Sequence, residues 1–134
     1  MSEIKTNKLT GTSTAGSILV TGEGNSTTTN LQQGLAKAWF SLDGDAGTPV
    51  FFDSFNCASV VDNSAGKPTI NLTNNMNNDD FAVSGFAGVT AGASVCFDNE
   101  TPKTTSDIDY RTMTSTFTPT DTTNLDSIVM GDLA

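Results

Sequence analysis

The 134-residue chain has no histidine and two cysteines, Cys57 and Cys96. Without an imidazole it cannot build the Ser-His-Asp or Cys-His arrangements that activate a hydroxyl or thiol, and it lacks the commonest zinc ligand. Two isolated cysteines supply neither a four-ligand zinc site nor a C-x-x-C redox pair, and they are expected to sit reduced in the core. The stretch "TGEGNS" has glycines but not the Lys-Ser/Thr ending of a phosphate loop. Carboxylates are plentiful, with 15 Asp and Glu, so a glycosidase-like acid pair is available by residue type. Most of them, however, fall in "DGDAG", "NNDD" and "TTSDID", where they read as solvated turn residues. "DGDAG" also lacks the later ligands and closing glutamate of a calcium loop. The expectation is a non-enzyme with no catalytic residue, cofactor or metal.

What must position the remaining polar groups is a β fold. Hydrophobic residues make up 36% and charged residues 16%. The balance is rich in Thr, Ser, Asn and Gly; Thr favours strands, and Gly and Asn favour the turns between them. The length suits one ordinary domain with its own core. A formal charge of −9 repels phosphate backbones, which argues against nucleic acid as a partner. No window reaches the roughly 18 apolar residues of a membrane span, so no membrane insertion is expected. "MSEIKTNKLTG" has no apolar secretory stretch, which points to assembly in the cytoplasm of a cell. The triplets "NST", "NLT" and "NET" at Asn25, Asn71 and Asn99 carry little weight without a secretory route.

Residues 1–30 hold few large apolar side chains: Ile4, Leu9, Ile18, Leu19 and Val20. They read as an extended arm, with "SILVTG" as one short strand that pairs with a partner. Residues 31–134 read as the head. Thr29 or Asn30 can cap a helical turn through "LQQGLAK", although Gly34 weakens it. "AKAWFSL" alternates, with Ala38, Phe40 and Leu42 on one face and Lys37, Trp39 and Ser41 on the other. An aromatic on each face argues for burial on two sides, one of them against a neighbouring subunit. The core-packing reading nevertheless covers Trp39 and the phenylalanines.

Further strands are expected in "VFFDSFN" and "CASVVD", as a pair or as one bent strand, and in "PTINLT", "FAVSGFAG", "ASVCFD" and "LDSIVMG". "DIDYRTMTSTF" alternates at length through Ile108, Tyr110, Thr112, Ser115 and Phe117, with a slip near Met113. About seven strands from Trp39 onward predict an all-β, antiparallel sandwich or jelly-roll-like head.

"STTTNLQQGLAKAWFSLDG" and the following "FDSFNCASVVDNSAGKPTINLTNNMNNDDFAVSGF" resemble a segment of tail-fibre-like and other virion appendage proteins of marine and cyanobacterial bacteriophages. The resemblance is carried by Gly22–Thr29, Leu31–Trp39, Asp53–Asn56, Ser59–Asn63, Pro68–Thr73 and Met76–Val83. It implies a non-enzymatic structural protein of the virion, usually a homotrimer, with an attachment arm and a β-rich head. On that view Ile4, Leu9, Ile18, Leu19 and Val20 dock the arm onto tail or capsid proteins. Three Thr-rich segments wind together, and Leu31, Leu35 and Trp39 form the junction between head and trimer. The chain has almost no shaft, which suits a short knob or fibre, or a capsid decoration protein. The alternative is a head that binds host glycans through loops containing Asp43, Asp45, Asn77, Asn78, Asp79 and Asn99.

Overall fold

The computed structural model describes residues 3–12, 18–22, 27–89, 92–96 and 103–134. Among them all regular structure is strand, with no helix, and every pairing is antiparallel. The chain divides into two units, Met1–Leu35 and Ala36–Ala134.

In the N-terminal unit, β1 (Leu19–Thr21) pairs with β2 (Thr28–Asn30), Leu19 opposite Asn30 and Thr21 opposite Thr28. The strand expected to pair with a partner therefore has a partner in its own chain. The Gly22 and Leu31 N–H groups donate to the Thr27 and Ile18 carbonyls, both at 2.9 Å. Two strands cannot build a core, and Leu19 and Val20 are left exposed. After β2, the Asn30 Oδ1 accepts from the Gln32 and Gln33 N–H groups at 2.8 and 3.2 Å. The capping expected of Asn30 is thus realised, but over a single turn. Gly34 closes that turn on the Asn30 carbonyl at 3.1 Å, and its low helix propensity favours no second one.

Among the described residues of the C-terminal unit nine strands, against the seven or so expected from Trp39 onward, form two sheets. They are β3 (Ala36–Asp43), β4 (Val50–Phe55), β5 (Cys57–Asp62), β6 (Pro68–Leu72), β7 (Ala82–Val89), β8 (Gly92–Cys96), β9 (Asp107–Asp109), β10 (Thr112–Met113) and β11 (Asn124–Met130). The larger sheet runs β10-β8-β7-β11-β3-β4 and the smaller β5-β6-β9. Both contribute to one core. Ala38, Phe40, Leu42, Ala87, Leu125 and Val129 come from the larger sheet, and Ile70, Leu72 and Ile108 from the smaller. Phe40 meets Tyr110 edge-on, ring centroids 5.3 Å apart, and meets Phe51 at 5.8 Å.

One residue carries the chain from the larger sheet to the smaller. Asn56, between β4 and β5, has φ +59°, a left-handed conformation that Asn tolerates better than most residues. Its Nδ2 donates to the Lys37 and Asn74 carbonyls at 3.0 and 3.1 Å, and its Oδ1 accepts from the Asn74 N–H at 2.7 Å. A second fixed turn lies at Gly66, φ +71°, before β6. There an added Cβ would lie 2.4 Å from the Thr112 carbonyl oxygen.

The long alternation expected over 107–117 is interrupted. Ile108, Tyr110 and Thr112 are buried as the period predicts, but Ser115 and Phe117 are exposed. The chain turns at Thr114, where the Phe117 N–H donates to the Thr114 carbonyl and Phe117 takes φ +61°. In the polar loop "NNMNNDD", Met76 turns inward and is buried, bridged to Leu133.

Candidate functional site

The face of the larger sheet turned away from the core carries a row of apolar side chains. Register places Phe55 of β4 opposite Trp39 of β3, Trp39 opposite Ile128 of β11, and Ile128 opposite Ser84 of β7. Alternation explains the row: Ala38 and Phe40 point into the core, so Trp39 between them points out. Likewise Ile128 stands between the buried Ser127 and Val129. Phe55 is 51%, Trp39 38% and Ile128 43% exposed. The core-packing reading of Trp39 is therefore corrected; its ring stands on the outer face. Phe52 and Val50 on β4 and Phe86 on β7 are also exposed. Phe52 is the extra residue where the β3–β4 register shifts between Ser41 and Leu42.

Lys37 does not share this face, contrary to the simple alternation. The β3–β11 register shifts beside it, with Val129 opposite Ala38 and Met130 opposite Ala36, and the Lys37 side chain is buried. Burial lowers its pKa, while the nearby Asp132 carboxylate acts in the opposite sense.

The next row outward is acidic. Asp53 is opposite Ser41, Ser41 opposite Asp126, and Asp126 opposite Phe86. Asp43, opposite Val50, follows at the end of β3.

The loops named as receptor candidates do not converge. Asp43 ends β3 and Asp45 follows it, at the end of the larger sheet marked by Leu42 and Leu125, where the Gly44 N–H donates to the Thr122 carbonyl at 2.9 Å. Asn77, Asn78 and Asp79 precede β7 at the opposite end, where the Asn77 N–H donates to the Asp132 carbonyl at 2.8 Å. Asn99 lies outside the described residues. In the N-terminal unit Ile4, Leu9, Leu19, Val20 and Leu35 are exposed, and Ile18 and Leu31 half-buried. The junction residue Trp39 belongs to the C-terminal unit.

A shallow cleft between the sheets includes Asp62, Asp121, Thr112 and Thr122. Its volume, about 240 Å³ with open solvent included, is below that of ordinary ligand sites. Asp121 is already committed, accepting from the Gly66 N–H at 2.7 Å. Among the described residues no group of three His, Cys, Asp or Glu could hold a metal. Cys57 is a free thiol whose Sγ faces the Trp39 and Phe55 carbonyls at 3.6 and 3.5 Å. Burial pushes its pKa up to about 11, away from the thiolate form that nucleophilic chemistry requires.

Sequence reasoning singled out Trp39 but missed Phe55 and Ile128 as its neighbours. The available signal was the placement of aromatic or branched residues out of phase with the core positions of β3 and β11. No protein-family model, curated protein or solved structure matches the chain.

Proposed function

We propose that the chain is a non-enzymatic structural protein of a bacteriophage virion. It is a short homotrimeric fibre or knob whose N-terminal arm attaches to tail or capsid proteins and whose two-layered head is a β-sandwich. A capsid decoration role differs only in where the arm lands. The observation that carries the reading is the exposed row Phe55–Trp39–Ile128. Contiguous apolar side chains on the outer face of a sheet are what an assembling protein covers and a solitary one avoids. Fully burying such side chains is worth about 1.5–3 kcal/mol each, enough together to contribute to association but not to drive it alone. The sequence resemblance to virion appendages supplies the virion context.

The test is sedimentation of the full chain at micromolar concentration and neutral pH. The expected species is a trimer, reduced to single chains by combined Trp39→Ala, Phe55→Ala and Ile128→Ala. A wild-type protein that sediments as a single chain overturns the reading.

A glycan-binding head is the second reading. It is favoured by Phe86 and Phe55 standing near Asp126 and Asp53 on one face, because sugar rings stack on aromatics while carboxylates take hydroxyls. Glycan-array binding by the full chain that disappears with Trp39→Ala would favour it over a purely structural role.

A further inference from the structure

The outer face of the larger sheet is acidic as well as apolar. Asp53, Asp126 and Asp43 accept hydrogen bonds from neutral donors there: the Ser54 N–H at 2.8 Å, the Asn124 Nδ2 at 2.8 Å and the Asp45 N–H at 3.0 Å. None of the unit's described basic residues stands on this face. Lys37 is buried, Lys67 lies in the β5–β6 turn, and Arg111 lies between β9 and β10. Lys103 lies over the Phe81 ring at 4.7 Å and donates to the Phe81 carbonyl. Two copies of the face brought together would set these carboxylates against each other, so the face is a poor partner for itself.

The complementary chemistry occurs elsewhere in the same chain. The segment Ile4-Lys5-Thr6-Asn7-Lys8-Leu9 brings two lysines and two large apolar side chains within six residues. Ile4 is 90% and Leu9 61% exposed. Lys5 pairs with Glu3 at 3.3 Å, but both side chains are highly exposed and such a pair is worth little. Fully extended, the segment reaches about 16 Å. The three strands that carry the row, β4, β3 and β11, span about 10 Å at ordinary strand spacing, within that reach. Length, charge and apolar content therefore match.

We propose that residues 4–9 of one copy dock on the outer sheet face of a second copy. In an extended segment Ile4 and Lys8 point to the same side, so Ile4 covers the row Phe55–Trp39–Ile128 while Lys8 approaches Asp126, and the long Lys5 side chain reaches round from the other edge toward Asp53. The inference rests on the self-assembly reading above and gives it a contact. An arm-to-face contact is heterologous, so each copy gives one arm and receives one, and the assembly ends only when the rotation closes a ring.

The test uses full-length chains in sedimentation equilibrium. Lys5→Glu/Lys8→Glu weakens association at least about tenfold, and so does Asp53→Lys/Asp126→Lys; Lys5, Lys8 and Asp53 are exposed and Asp126 is half-buried, so circular dichroism checks that each variant is folded. Mixing the two double variants restores association into mixed species, because the acidic arm of one meets the basic face of the other while the remaining arm and face keep their natural signs; a ring of three still holds one like-charged contact and so stays weaker than the wild-type trimer. Association of the wild type also falls as salt rises. A trimer unmoved by Lys5→Glu/Lys8→Glu overturns this contact and leaves the self-assembly reading standing. Double variants that both dissociate but do not combine on mixing also overturn it. A wild-type single chain overturns the contact and the reading together.

Discussion

Tyr110 and Ser127 share a buried 2.7 Å hydrogen bond between their hydroxyls, linking the segment after β9 to the central strand of the larger sheet. The Ser127 Oγ also donates to the Ser84 carbonyl at 3.0 Å, so this contact continues to β7. Tyr110→Phe should therefore cost about 1 kcal/mol, since the serine keeps its second partner. Tyr110→Ala should cost about 3–5 kcal/mol, because it also removes the ring packed against Phe40. Urea unfolding followed by Trp39 fluorescence measures both.

Gly66→Ala should destabilise by about 3 kcal/mol or more. The new methyl would meet two backbone atoms, the Thr112 oxygen at 2.4 Å and the Thr120 nitrogen at 2.7 Å, in a residue already at positive φ. Gly47, also at positive φ but with open space around it, is the control. Gly47→Ala should cost about 1 kcal/mol, from conformation alone. Thermal unfolding of the two variants separates clash from backbone strain.

Asn56 holds its left-handed turn with four side-chain hydrogen bonds, two donated and two accepted, to Lys37 and Asn74. Asn56→Ala should cost about 2–4 kcal/mol by losing both the bonds and the tolerance of the conformation. Asn56→Gly should lose less, because glycine takes positive φ without steric penalty. Equal losses in denaturant titration would show that the backbone conformation contributes nothing.

Cys57 should resist alkylation. With its pKa raised from 9.0 to about 11, its thiolate fraction at pH 9 is about fifty-fold below that of an ordinary thiol. Peptide-resolved mass spectrometry after iodoacetamide reads this directly. The same shift acts on stability. Below about pH 9 the thiol is protonated folded and unfolded; between 9 and 11 only the unfolded chain releases its proton, so stability falls as pH rises. Cys57→Ser should flatten that part of the pH profile.

Strands β6 and β11 were legible because each alternates cleanly against one core, and β3 because it does so from Ala38 onward. "PTINL", for instance, buries Pro68, Ile70 and Leu72 as its period requires. The all-β class was legible for the same reason. The division at Asn56 was not, since "VFFDSFNCASVVD" reads equally as one bent strand or two. What decides is a single backbone conformation and a hydrogen-bond set reaching Lys37 and Asn74, distant in sequence. The slip at 107–117 was visible near Met113, but its outcome, a turn with Phe117 outside, depends on Thr114 contacts. Of the candidate surface, Trp39 was visible as an aromatic out of phase with its strand. Its neighbours follow only from register, which joins positions 39, 55 and 128 and has no local signature.

β11 lies between β3 and β7 in the larger sheet, yet follows both in the chain. During synthesis the ribosome therefore delivers two flanking strands long before the one that joins them, and each waits with an open, hydrogen-bonding edge. A message truncated before Asn124 would yield no smaller folded version of the head, only a sticky polypeptide for chaperones or proteases to clear.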